Sequence, residues 1–186
     1  AAKNIAVWNG ITWAALGSGV DGSVLVLEVD GNSKVYAAGV FETINGVIAK
    51  NIGLWNGSQW SVLNDGTTAT PGTNNEIRSL NLDNSGTLDV GGNFNKAGDK
   101  TANRIATWNG TIWGTLGAGT SGFVQAIVST PTHVYLGGNF AVAGSSTVNR
   151  IVQWNKTSSS WSSLGNGVNN NVNALLHDGT YLYVAG

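Results

Sequence analysis

Cysteine and methionine are absent from the 186 residues, proline occurs twice, and only 10% of residues are Asp, Glu, Lys or Arg. Without cysteine there is no disulfide, no thiolate metal site and no cysteine nucleophile, and either redox compartment is allowed. Nine basic against ten acidic residues, with no run of either sign, give no electrostatic footprint for nucleic acid or an anionic membrane. No apolar run approaches the roughly 20 residues of a membrane-spanning helix, so no membrane insertion is expected. Sustained helical periodicity is missing as well. The lack of an initial methionine raises the expectation that the chain is trimmed, or cut from something longer.

Glycine, with 27 residues, and tryptophan, with eight, are plentiful instead. All eight tryptophans fall in one recurring segment: "NIAVWNGITWAAL", "NIGLWNGSQWSVL", "RIATWNGTIWGTL" and "RIVQWNKTSSSWSSL". A second motif keeps step with it, as "VYAAGVF", "LDVGGNF", "VYLGGNF" and a final "LYVAG". Gly39 to Trp55, Gly92 to Trp108 and Gly138 to Trp154 each span 16 positions, so this part of the unit has a fixed length. Variation lies elsewhere: "NDGTTATPGTNNE" carries extra residues and the "STPTH" turn is one residue short.

Each unit reads as four short strands. In the second, "VLVLEVD" ends at a hairpin signal, "KVYAAGVF" follows, "ETINGVIAK" is a loop, and "NIGLW" turns at Asn-Gly into "SQWSVL". Tandem four-stranded units of about 47 residues predict an all-β chain, a β-propeller of four-stranded antiparallel blades with about four blade equivalents. The whole chain, 1–186, is read as one propeller or propeller fragment. Strands three and four of one blade fall at 1–17, full blades at about 24–64, 76–117 and 123–165, and strands one and two of a last blade at 172–186. About eight connector residues would separate Gly186 from Ala1 in a closed four-bladed ring; a half-ring that dimerises, or a piece of a longer propeller, are the other outcomes.

Asn-Gly between alternating segments predicts a two-residue type I′ turn with Ala106 opposite Trp113, placing Trp108 and Trp113 diagonally on one face. Each indole would bury roughly 150–250 Å², worth about 4–6 kcal/mol before entropy. In the fourth copy Trp154 and Trp161 are separated by two additional residues, which preserves side-chain parity. Trp8, Trp13, Trp55, Trp60, Trp108, Trp113, Trp154 and Trp161 are therefore read as blade-packing residues, with exposed platforms for sugar as the alternative.

The pattern of "GG-x-F", "AG" and "IA-x-W-N-G-x-x-W-x-x-L-G-x-G" resembles glycine-rich propeller repeats of fungal bud-site cortical markers, bacterial surface proteins and large-DNA-virus proteins. More distantly it is similar to the kelch and galactose oxidase propellers. "GGNFNKAGDKTANRIATWNGTIWGTLGAG" is the closest segment. The resemblance implies surface or structural interaction proteins and supplies no shared catalytic residues; the cysteine-linked tyrosine of galactose oxidase cannot form here. Asp89 departs from the pattern where the other copies have Tyr36, Tyr135 and Tyr183, and Ala38 replaces the first glycine.

The carboxylates fall mainly in turns at non-equivalent positions, and His133 and His177 lack the spacing of zinc ligands. No catalytic residue, metal site or cofactor is expected. "VDGNS" and "LDNSG" read as hairpin turns, not calcium loops, and "GAGTSG" as a turn between blades. Sequons at Asn56, Asn109 and Asn155 are candidate glycosylation sites, although the turn itself calls for Asn. The long loop, with Thr67, Thr68, Thr70, Pro71 and Thr73, is the candidate partner loop, and deleting 67–73 is expected to leave folding intact. The reading is a non-enzymatic scaffold at a cell surface, in a virion or in an extracellular assembly. Its expected partners are other protein chains, copies of itself included. A lectin with repeated inter-blade sites for glycans is the alternative.

Overall fold

The structure, a computed structural model, describes residues 2–66 and 70–186. Among these residues every regular element is a strand. β1 (Ala6–Trp8) and β2 (Trp13–Ala15) form a two-stranded antiparallel sheet. Next come β3 (Ser23–Val29), β4 (Val35–Val40), a small hairpin of β5 (Thr43–Ile44) and β6 (Val47–Ile48), then β7 (Ile52–Trp55) and β8 (Trp60–Val62). The same series recurs as β9 (Ile77–Leu82), β10 (Leu88–Gly92), β11 (Lys96–Ala97), β12 (Lys100–Thr101), β13 (Ile105–Trp108) and β14 (Trp113–Thr115). It recurs again as β15 (Phe123–Ser129), β16 (His133–Asn139), β17 (Val142–Ala143), β18 (Ser146–Thr147), β19 (Ile151–Asn155) and β20 (Ser160–Ser163). Among the described residues β21 (Ala174–His177) pairs only with β22 (Leu182–Ala185).

Three four-stranded antiparallel sheets result: β3-β4-β7-β8, β9-β10-β13-β14 and β15-β16-β19-β20. The first strand of each unit packs against the first strand of the next, β3 on β9, β9 on β15 and β15 on β21. Apolar residues fill the spaces between. One core joins Tyr36, Ala38 and Ile52 of the first sheet to Leu80, Leu88 and Val90 of the second. Another joins Ile105 and Leu116 to Val124, Leu136 and Trp154.

The loop read in "ETINGVIAK" is instead the β5–β6 hairpin, repeated as β11–β12 and β17–β18. These strands are two residues long, too short for alternation to register in the sequence. Bridges Val20 to Ile44, Thr73 to Ala97 and Thr120 to Ala143 tie each one to the segment entering the same unit.

The turn between tryptophans also differs from expectation. Four residues, 109–112, close it, so Trp108 stands directly opposite Trp113 and Ala106 opposite Thr115. The Asn109 side chain causes this: its Oδ1 accepts the N–H groups of Thr111 and Ile112, at 3.0 and 2.9 Å. Only Gly110 then needs positive φ, at 95°, whereas a type I′ turn asks it of both central residues. The rings lie 5.1 Å apart and tilted by 54°. In the fourth copy the two extra residues form one more cross-strand pair, Asn155 with Ser160, and Trp154 still faces Trp161 at 4.8 Å.

Exit from each unit is through a glycine with its back to a carbonyl. Gly19, Gly72, Gly119 and Gly167 have φ between 71° and 78°, and a Cβ there would lie 2.1 to 2.4 Å from the carbonyl oxygen of Lys3, Lys50, Asn103 or Asn149. No other residue fits, which is why glycine recurs at this point.

Candidate functional site

Trp108, Trp113 and Trp154 are buried, and Trp55, Trp60 and Trp161 are half-buried. Trp60 Nε1 donates to the Leu16 carbonyl at 2.8 Å and Trp113 Nε1 to the Leu63 carbonyl at 3.3 Å, so the indoles join consecutive sheets. Trp8 and Trp13 are the pair that reaches solvent.

Asn56, Asn109 and Asn155 all cap their own turns, and Asn9 does the same for Ile11 and Thr12. Asn9 belongs to no sequon, because Ile11 stands where Ser or Thr would be. The turn is thus a sufficient reason for the asparagine.

Of the long loop, Thr67 and Thr68 lie outside the described residues, and Thr70 is exposed. Pro71 and Thr73 are buried. The Thr73 carbonyl accepts from Asn51 Nδ2, its N–H donates to the Lys50 carbonyl, and its Oγ1 donates to the Asn75 carbonyl. Gly72 and Thr73 therefore belong to the repeated frame, and a deletion that reaches them removes structure.

The units differ chemically in the seams between sheets. The second strand of each unit carries one side chain toward the first strand of the next unit. In the first seam that side chain is Tyr36, buried with Leu80 and beside the partly buried Leu82. Burial, followed by the nearby Asp30 charge, pushes its hydroxyl pKa up. Glu28 on β3 faces the same seam, its carboxyl raised by burial although the Leu82 N–H donates to it.

In the second seam Asp89 replaces the tyrosine, and the residue facing it on β15 is Ser129. Asp89 is 1% exposed. Ser129 Oγ donates to its carboxylate, and Asn81 stands directly across the strand. Burial pushes the Asp89 carboxyl up to about 6, against the pull of Ser129 and Lys156, with Asp83 adding to the rise. At the mouth Lys156 Nζ donates to Asp83 Oδ2 at 2.7 Å, crossing from the third sheet to the second. Burial opposes the charge of Asp83, but Lys156, Ser85 and the Thr87 N–H outweigh it and hold this carboxyl below the usual range.

The third seam stacks rings. Tyr135 lies 5.9 Å from His177 on β21 and 5.9 Å from His133, at interplanar angles of 17° and 29°. His133 Nδ1 meets Thr132 Oγ1 at 2.9 Å and its Nε2 meets Asn155 Nδ2 at 3.3 Å. The imidazole is thereby engaged within its own sheet, and Ser129 has a carboxylate, not an imidazole, as its hydrogen-bond acceptor.

Two clefts flank the 129–132 turn. One, of 390 Å³, is lined by Leu82, Asp83, Ser85, Thr130, Pro131 and Lys156 among others; the second holds Tyr135, His177 and Gly179. Among the described residues no three His, Asp or Glu side chains converge as a metal-ligand set. Asp89 stands out in the sequence as a departure, but no local pattern there gives it a partner. Ser129, at the position of Leu82, and Lys156, in the elongated fourth turn, also differ from their counterparts, and with Asp89 they meet in one seam. The chain matches no protein-family model and no curated protein sequence.

Proposed function

We propose that this chain is a non-enzymatic interaction scaffold of β-propeller architecture, working at a cell surface, in a virion or in another extracellular assembly. The carrying observation is the division of labour within each unit. Tryptophans, exit glycines and turn asparagines serve the repeated frame, while the seams and the 64–70 connection differ from unit to unit. A rigid frame that presents unlike edges suits recognition of other protein chains. First strands stacked in succession are the arrangement that a radial array of blades requires.

A repeated sugar site would need the same exposed aromatic in every unit. Six of the eight indoles are instead buried or half-buried. A glycan array probed with the 186-residue chain is expected to show no binding, and two-dimensional averages of particle images are expected to show blades around an axis. Array binding that disappears in Trp13→Ala would replace the scaffold reading with a lectin, and averages without radial symmetry would remove the propeller.

A further inference from the structure

We propose that Arg104 and Arg150 form a bivalent contact site for an acidic segment of a partner protein, each guanidinium taking one carboxylate. The inference rests on the scaffold reading, which supplies a protein chain as the partner. It starts from the residue just before the third strand of each unit. Asn4, Asn51, Arg104 and Arg150 hold this place, all with a left-handed backbone, φ between 60° and 73°. Asparagine tolerates that region, whereas a long side chain is uncommon there.

The asparagines work inside the frame. Asn4 Nδ2 donates to the Val20 carbonyl at 2.9 Å, and Asn51 accepts the Phe41 N–H and donates to the carbonyls of Thr73 and Asn75. The next unit offers the same groups: Thr120 Oγ1 donates to the Gly122 carbonyl as Thr73 Oγ1 does to that of Asn75. Arg104 does not use them. Among the described residues neither the Arg104 nor the Arg150 side chain forms a hydrogen bond or an ion pair, and in both the Nε is buried without a partner. Their main chains are nonetheless fixed, Arg104 by bonds with Phe94 and Gly92 and Arg150 by the matching bonds with Phe140 and Gly138. Arg104 stands between two complete four-stranded sheets, so its lack of a partner belongs to the fold.

A buried N–H of a charged group is costly without an acceptor, and twice the chain gives up an asparagine that would close the frame. A ligand needing two parallel donors accounts for both. Carboxylate is that ligand, since its two oxygens match the planar fork of Nε and a terminal nitrogen. Nine basic against ten acidic residues make no field for a long polyanion such as nucleic acid, so the fit is to discrete carboxylates. Equivalent positions in consecutive units put the two forks on one side of the molecule, where two carboxylates of one segment gain from being linked.

Fluorescein-labelled hexaglutamate, followed by anisotropy at low ionic strength with hexalysine as the control, is expected to bind the 186-residue chain. Arg104→Asn with Arg150→Asn is expected to lose about tenfold or more of that affinity. The same variant is expected to melt above the wild type, because its asparagines can take the frame bonds that Asn51 makes. Arg104→Lys with Arg150→Lys keeps the charge, lacks the fork and is expected to lose most of the affinity as well. No binding of hexaglutamate, or binding unchanged in either variant, would overturn the proposal. An Asn variant that melts below the wild type would also overturn it, by showing that the arginines hold the frame. Acetate that displaces the peptide at equal carboxylate concentration would overturn the bivalent partner in favour of free small anions. The scaffold reading is judged separately, by the glycan array and the particle images.

Discussion

Burying Asp89 between two sheets makes its protonation part of the folding equilibrium. Its folded pKa of about 6 lies above the ordinary 3.8, so the folded chain binds the proton more tightly than the unfolded chain does. The stability associated with that proton is fully present below pH 3.8 and is lost as pH rises through about 6. A rise of this size corresponds to roughly 3 kcal/mol at neutral pH, the cost of holding a buried charge beside Ser129 and Lys156. Asp89→Asn keeps the shape, removes the titration, and is expected to gain on the wild type by about 1–3 kcal/mol between pH 4.5 and 7.5. Urea unfolding at the two pH values checks this, and identical pH slopes for both proteins would reject it. Asp21, Asp83 and Asp178, all lowered, act in the opposite sense below pH 3.8 and contribute equally to both proteins.

Each exit turn is closed by the same hydrogen bond, from Gly19 to Leu16, Gly72 to Leu63, Gly119 to Leu116 and Gly167 to Leu164, at 3.0 to 3.2 Å. The long connection therefore enters a closed turn without opening it. Replacing 64–71 by Gly-Ala, the pair found at 117–118, is expected to stabilise the chain by about 1 kcal/mol through a shorter loop. Asn51→Ala acts on the same seam with opposite sign. Its amide accepts the Phe41 N–H and donates to the carbonyls of Thr73 and Asn75, so its loss is expected to cost about 2–4 kcal/mol. Thermal unfolding of the two variants separates them, and a shortened loop that unfolds as readily as Asn51→Ala would show that the connection holds the seam. Four-stranded units were legible because strands such as β3 and β15 are long enough for a period of two to show. The β5–β6 hairpins and the four-residue tryptophan turns were not, because two-residue strands carry no period and a side-chain cap leaves Asn-Gly looking like a two-residue turn. The second seam was hidden for another reason: Asp89 meets Ser129 across 40 residues and Asp83 meets Lys156 across 73.

Across the whole molecule, cover is greatest in the middle and least at the two open sheets. The second sheet contributes to both large cores, through Leu88 and Val90 on one side and Ile105 on the other. All six strand residues of β1 and β2 are exposed. Opening free energy follows buried contact, so amide exchange is expected to be slowest in β10 and β13 and fastest in β1–β2 and β21–β22. Exchange measured by mass spectrometry decides the matter. Equal protection throughout the sheets would contradict the graded core.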